Sequence, residues 1–456
     1  MTNGDNVSAD GTMGQVSASP TRIVRVLIDR KATRQVITGF GGNFAVARFG
    51  DRDAHDSVGG HVLANMPIGH ARIGIPLKTF IKESGDNYDA AHTAVKDVFR
   101  LMETLRDRKI PVVASVWDVP DFCLSEPVAG TEGRRIAPDK RDKVIAAIGE
   151  WLRLGRQNHG LTVPYVSFHA PDGGGSLFLT PEDARYFITR GGAAFEKLAL
   201  PTKWILGDTA TGASLAGYVS AILSDKSVVP YIGPVSFHAW DSLSASDDAY
   251  RAIAKAARLY RKPVWCLEAG YDRTPPGESD PPFWETWEHT LNLAHSYARC
   301  LTLAEASVMD YWQFQNDHPI LGEEESELAD DDLTPLVRLF PAFHLLKLFA
   351  ETFPADTQMI AATVIGEGIL AVMGLEPQAG KLRVLLVNPG EVVDVDVSGG
   401  QPNGTYRVGG LTSAQADRIP FAPHAPESEA AAMETDKKGN VIVSMVPRSV
   451  AVLSEQ

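Results

Sequence analysis

The sequence predicts an α/β fold: a (β/α)8 TIM barrel followed by a C-terminal all-β sandwich domain that an N-terminal strand joins. Three observations predict it. Short apolar runs alternate with amphipathic helical segments for about 300 residues. The short runs number eight, centred near residues 37, 73, 113, 166, 205, 236, 265 and 311, and a helical segment follows nearly every one. After residue 355 the helices stop, and runs such as LRVLLVNP, VVDVDVS and VIVSMVPRSVAVLS alternate with Gly, Pro, Asn and Asp turns.

Taken in order, residues 1–20 read as a disordered tail. The strand in 21–34 (RIVRVLID) packs on the sandwich, residues 35–354 form the barrel, and 355–456 form the sandwich. Within the barrel, QVITGFGGNFA (35–45) is a strand ending in glycines, and ARIGIPL (71–77) is the second strand. Val95, Val98, Leu101, Met102 and Leu105 recur at helical spacing and predict a helix over 91–109. A strand over 110–118 precedes a helix over 139–160 that Gly160 closes. VPYVSFHAPD (163–172) is a strand running into Gly173, Gly174 and Gly175. Thr180 caps a helix over 180–198. Strands at 203–208, 233–241, 263–270 and 307–317 alternate with helices at 213–225, 244–262, 283–306 and 333–353. Pro341 interrupts or divides the last helix. A doubly wound sheet is a poorer fit, because the GFGG cluster lacks the GxGxxG spacing and its acidic partner.

Composition limits the function classes. A chain of 456 residues accommodates one large and one smaller core. The net charge of -14 opposes a broad nucleic-acid or anionic-membrane surface. Cys123, Cys266 and Cys300 form no CxxC pair, so neither a disulfide framework nor a thiolate zinc site is expected. The N-terminus lacks a basic start and an apolar core, which predicts no signal peptide and a cytoplasmic location. The twelve histidines show no HExxH and no clustered ligand spacing, so no metal and no cofactor are expected. No GxSxG elbow is present.

Reactive groups of such a barrel lie at the C-terminal ends of its strands. Those ends carry Asn43, Arg72, Trp117, Asp118, His169, Asp172, Asp208, His238, Trp240, Asp241, Glu268, Tyr271, Trp312, Gln313 and Gln315. Carboxylates, imidazoles and indoles on one rim suit a carbohydrate: indoles stack on sugar faces, and carboxylates accept from hydroxyls or do chemistry. A lone carboxylate ending the apolar run PVWCL is costly unless it has partners or a job, which singles out Glu268. The bland reading makes Glu268 a structural partner of Arg72.

QVITGFGG, the strand ending in Arg72, SVWDVPDF, SFHAW, KPVWCLEAG, YWQFQ and the closing VPRSVAVLS occur in an order that resembles glycoside hydrolase family 30 and its clan. The resemblance runs from about residue 22 to the end. It implies retaining hydrolysis of β-linked glycosides, with Glu268 as nucleophile, Arg72 keeping it ionised and His238 beside the site. With the strand-end residues, this makes Trp117, Asp118, His169, Trp240, Tyr271 and Trp312 the candidates that hold a glycoside substrate.

The family pattern expects Asn-Glu-Pro at the end of strand four, the Glu being the acid/base. Here the chain reads Ser167-Phe168-His169-Ala170-Pro171-Asp172. Asp172, beside three glycines, is the candidate replacement acid, with a turn residue as its bland reading. His169 is a further candidate. The other possibilities are a leaving group that needs no proton, or a carbohydrate-binding protein that does not hydrolyse. The run EEESELADDD (323–332) reads as a solvated loop near the active face that disfavours anionic sugars.

Overall fold

The computed structural model describes residues 22–44, 57–83, 87–131, 133–272, 282–314, 318–324, 336–416 and 431–456. The 1–20 tail, Gln315 and residues 325–332 of the acidic run lie outside them.

Eight parallel strands close into a barrel: Gly39–Phe44, His70–Gly74, Val112–Val116, Tyr165–Phe168, Lys203–Thr209, Ile232–His238, Val264–Ala269 and Ala306–Tyr311. Alternation along the strands builds two layers. Val113, Ile205, Trp265, Leu267 and Val308 form one buried cluster, while Trp204, Leu206 and Cys266 belong to the large core that the surrounding helices share.

The helices follow their sequence signals. Thr180 and Asp183 form a reciprocal capping box at the start of Pro181–Lys197. Gly160 takes the left-handed conformation after Arg141–His159.

Several elements differ from expectation. The first barrel strand spans Gly39–Phe44, so its glycines lie within the strand, and Val36 ends a strand of the other sheet. The reason is close approach: a Cβ on Gly41 would lie 1.7 Å from the His70 carbonyl oxygen. The helix expected over 333–353 begins only at Pro341, which occupies its first turn, and Leu336–Leu339 pairs with Leu321–Glu324 as a two-stranded ribbon. Ser57–Asn65 is a helix that the sequence pattern did not mark.

The C-terminal region is a nine-stranded mixed sheet containing the N-terminal strand. Arg22–Val36 pairs antiparallel with Gln358–Ile365 and parallel with Val393–Ser398. The strand Leu382–Asn388 shows how this unit meets the barrel. Leu382, Val384 and Leu386 face the sandwich core, whereas Leu385 and Val387 join the barrel's core. Both faces are buried, which is why this stretch reads as a nearly continuous apolar run. Among the described residues, no helix is long and apolar enough to cross a membrane.

Candidate active site

Regular alternation would turn Glu268 and Asp208 away from the barrel axis, because Leu267 and Gly207 before them take inward positions. Two irregularities re-aim them. The seventh strand slips register between Cys266 and Glu268, making Leu267 the extra residue. The fifth slips between Gly207 and Thr209, and Asp208 sits there at φ 53. Bulges of this kind redirect side chains next to active sites. Both carboxylates consequently converge on Arg72.

Arg72 is fully buried and every polar group of its side chain is bonded. Its Nε donates to Ser115 Oγ (2.8 Å), Nη1 donates to Asn43 Oδ1 (2.9 Å) and Glu268 Oε1 (2.6 Å), and Nη2 donates to Asp208 Oδ2 (2.7 Å). The Trp117 ring lies 4.5 Å from the guanidinium carbon. Asn43 in turn donates to the carbonyls of Leu267 and Tyr311, fixing the bulged strand.

Four donors surround the Glu268 carboxylate. Oε1 meets Arg72 and, at 3.0 Å, His169 Nε2. Oε2 meets His238 Nδ1 at 3.1 Å and accepts from Trp240 Nε1 at 3.2 Å. Burial alone would push this carboxyl up; His238, His169 and Arg72 outweigh it and hold it well below the usual carboxylate range. Asp208 is likewise held low: burial opposes ionisation, but Arg72 and His238 win. Its Oδ2 also accepts from Ser167 Oγ at 2.7 Å, and His238 Nε2 lies 3.0 Å from its Oδ1. The His238 ring therefore bridges the two carboxylates. Burial pushes His169 down, favouring the neutral ring.

The sequence-selected residues fall into three groups. Arg72, His169, His238 and Trp240 touch Glu268 directly. Trp117 and Trp312 form an aromatic wall beside His169, their ring centroids 6.2 Å apart. The Tyr271 hydroxyl pairs with His289 Nδ1 at 2.9 Å, and Asp118 is half-buried at the third strand's end.

Asp172 is employed elsewhere. Its Oδ1 accepts from Ala210 N (2.8 Å) and its Oδ2 from Ser214 Oγ (2.6 Å), at the start of the helix Gly212–Leu223. No hydrogen bond joins it to Glu268 among the described residues. Asp172→Ala is expected to lower stability by about 1–2 kcal/mol, as loss of a helix-terminal acceptor does. Denaturant unfolding measures this, and any activity requiring Glu268 should change less than about twofold.

Pro171 sets the register of the expected Asn-Glu-Pro run, so His169 stands in the Asn position and Ala170 in the Glu position. Ala170 is buried, with φ 41. The glycine loop packs directly over it: a Cβ on Gly175 would lie 2.8 Å from His169 Nδ1 and 3.1 Å from Ala170 Cβ. Glycine is required there because the loop backbone rests on the end of strand four.

Two participants were undervalued from sequence. Asn43 and Asp208 stood among the rim residues but not among the chosen site residues. The glycine before Asp208, breaking the apolar run KWIL, was the available signal. The sequence spacing marked no metal ligands; in the fold, one atom each from His169, His238 and Glu268 lie within 4.8 Å of one another. They come from strands four, six and seven, so no sequence spacing could reveal them.

No known protein-family profile matches the sequence, and no curated protein matches it either. Solved structures do match the fold. A GH30 endoxylanase from Clostridium papyrosolvens C71 superposes with a TM-score of 0.68 at 14% identity, covering 95% of this chain and 100% of its own. An endo-β1,6-glucanase gives 0.64 at 14%, covering 94% of each chain. A GH39 β-xylosidase from Caulobacter crescentus gives 0.59 at 11%, covering 95% of this chain and 100% of its own. The chain thus shares with these glycoside hydrolases the architecture of a (β/α)8 barrel with an attached β-sandwich. More particularly, the chain has a GH30-like fold.

Proposed function

We propose that this protein is a retaining β-glycoside hydrolase for substrates whose leaving group departs without a proton. One observation carries the reading: Glu268 ends strand seven as an ionised carboxylate fixed by Arg72, His238, His169 and Trp240, while Ala170, under the glycine loop, falls where the resemblance expects the acid/base Glu. Attack on an anomeric carbon needs a free lone pair on Glu268, so one donor must yield. His169 and Trp240 are the candidates, since His169 Nδ1 has no partner among the described residues to hold the ring and Trp240 is only half-buried. Trp117 and Trp312 supply aromatic surface for the sugar.

The test compares wild type with Glu268→Gln on β-glycosides of strongly acidic phenols. Turnover is expected in wild type and should fall by at least about 10³-fold in the variant. A carboxylate whose oxygens already have four donors also suits a carbohydrate-binding protein without hydrolytic activity. Sugar binding by calorimetry with no phenol release from any such glycoside would select that second reading and remove the first.

A further inference from the structure

We infer that His169, His238 and Glu268 form a binding site for a zinc-class divalent cation. The inference stands apart from the hydrolase reading, because it uses only the convergence of three ligand atoms. His169 Nε2 lies 3.0 Å from Glu268 Oε1, and His238 Nδ1 lies 3.1 Å from Glu268 Oε2. All three ligand atoms fall within 4.8 Å of one another. Zinc bonds nitrogen and oxygen at about 2.0–2.2 Å, so atoms separated by about 3–4 Å can share one ion.

The ligand chemistry is also suitable. Two imidazoles and a carboxylate match the ions that imidazole prefers, and three protein ligands leave an open position. His238 carries the support that metal-binding imidazoles commonly have: its other nitrogen, Nε2, faces the Asp208 carboxylate at 3.0 Å. Asp208 is itself fixed by Arg72 and Ser167. Asp208 and Glu268 contribute two negative charges and Arg72 one positive, leaving a net negative charge for a dication to meet. Arg72 takes one lone pair of Oε1, and a carboxylate offers roughly four. On binding, the ion takes the lone pairs of His169 Nε2 and His238 Nδ1, with the proton of the neutral His169 ring carried on Nδ1 and the His238 ring proton on Nε2 toward Asp208.

His169 makes the site peculiar to this chain. At the first position of the strand-four run an Asn amide would place one poor ligand opposite Glu268, whereas the imidazole completes a two-histidine, one-carboxylate set. An ion held there occupies the oxygens that a nucleophilic Glu268 would need. Metal binding and sugar attack therefore exclude each other.

The test requires no sugar, so its failure is distinguishable from failure of the hydrolase reading. Tag-free protein stripped with EDTA is titrated with Zn²⁺ against a chromophoric chelator, and with Co²⁺ followed by visible absorption. One equivalent is expected to bind, with cobalt ligand-field bands. His169→Ala and His169→Asn are expected to weaken binding at least about tenfold. Their unfolding midpoints in EDTA should fall only by what the one His169–Glu268 contact contributes, so the loss of metal is read on folded protein. Absence of a stoichiometric ion in wild type overturns the inference, and so does binding that both variants retain unchanged.

Discussion

Arg72→Met is expected to lower stability at neutral pH by about 3–5 kcal/mol, the usual consequence of removing one partner from a buried ionic group. Methionine approximates the volume, so the loss is mainly electrostatic. Glu268 and Asp208 would then face each other's charge without the guanidinium, and the acceptors Asn43 Oδ1 and Ser115 Oγ would lose their donor. Arg72→Lys should recover little, because one ammonium cannot reach both carboxylates and Ser115 in a single fork. The pH dependence identifies the cause. In wild type both carboxyls are held below their unfolded values, so their stabilisation is fully present above the unfolded pKa range and is lost as pH falls through the folded values. The variant lacks much of that depression. Its deficit against wild type should be greatest at pH 7 and should shrink below about pH 4. Urea unfolding at pH 7 and pH 3.5 checks this; an equal deficit at both would mean that packing, not charge, accounts for the loss.

The fold was legible where one physical signal dominated. Short apolar runs placed seven of the eight barrel strands, which are buried on both faces, and the 3.6-residue pattern placed most of the helices, which bury one. Legibility failed where backbone proximity mattered more than side-chain pattern. Gly39–Phe44 is a barrel strand because glycine permits close contact with the His70 strand, and a glycine-rich run resembles a loop in sequence. Leu336–Leu339 carries helical-looking leucines, yet Pro341 begins a helix more readily than it continues one.

The site was legible residue by residue but not as a network. Glu268 stood out as a carboxylate ending an apolar run, and the absence of the family's Asn-Glu pair was visible from Ser167-Phe168-His169-Ala170-Pro171 once the resemblance was drawn. What the sequence lacked was direction. Leu267 and Asp208 are one-residue bulges, and a bulge inverts the facing of the residue it displaces without altering composition. Only the folded strands show that His238 bridges Asp208 and Glu268, or that His169 approaches Glu268 from strand four.

On the hydrolase reading, the largest kinetic effect is expected in the leaving-group series. A retaining enzyme uses its acid/base twice, first to protonate the departing oxygen and then to deprotonate the incoming water. Loss of such a group typically costs about 10²–10⁴-fold in each step it serves. Glycosides of strongly acidic phenols escape the first penalty but not the second. They should release one equivalent of phenol per site rapidly and then turn over slowly, leaving a glycosyl ester on Glu268 that intact-protein mass spectrometry detects. Azide, a nucleophile needing no base, should accelerate the slow phase and yield the β-glycosyl azide. Alkyl glycosides should react about 10²–10⁴-fold more slowly than activated aryl ones. The pH profile for aryl substrates should lack a basic limb, because no acid must stay protonated. Its acidic limb should lie low, because Arg72, His238 and His169 keep Glu268 ionised against the cost of burial. Comparable rates for alkyl and aryl glycosides would refute proton-free departure and would point to His169, the ring already in contact with Glu268, as the donor.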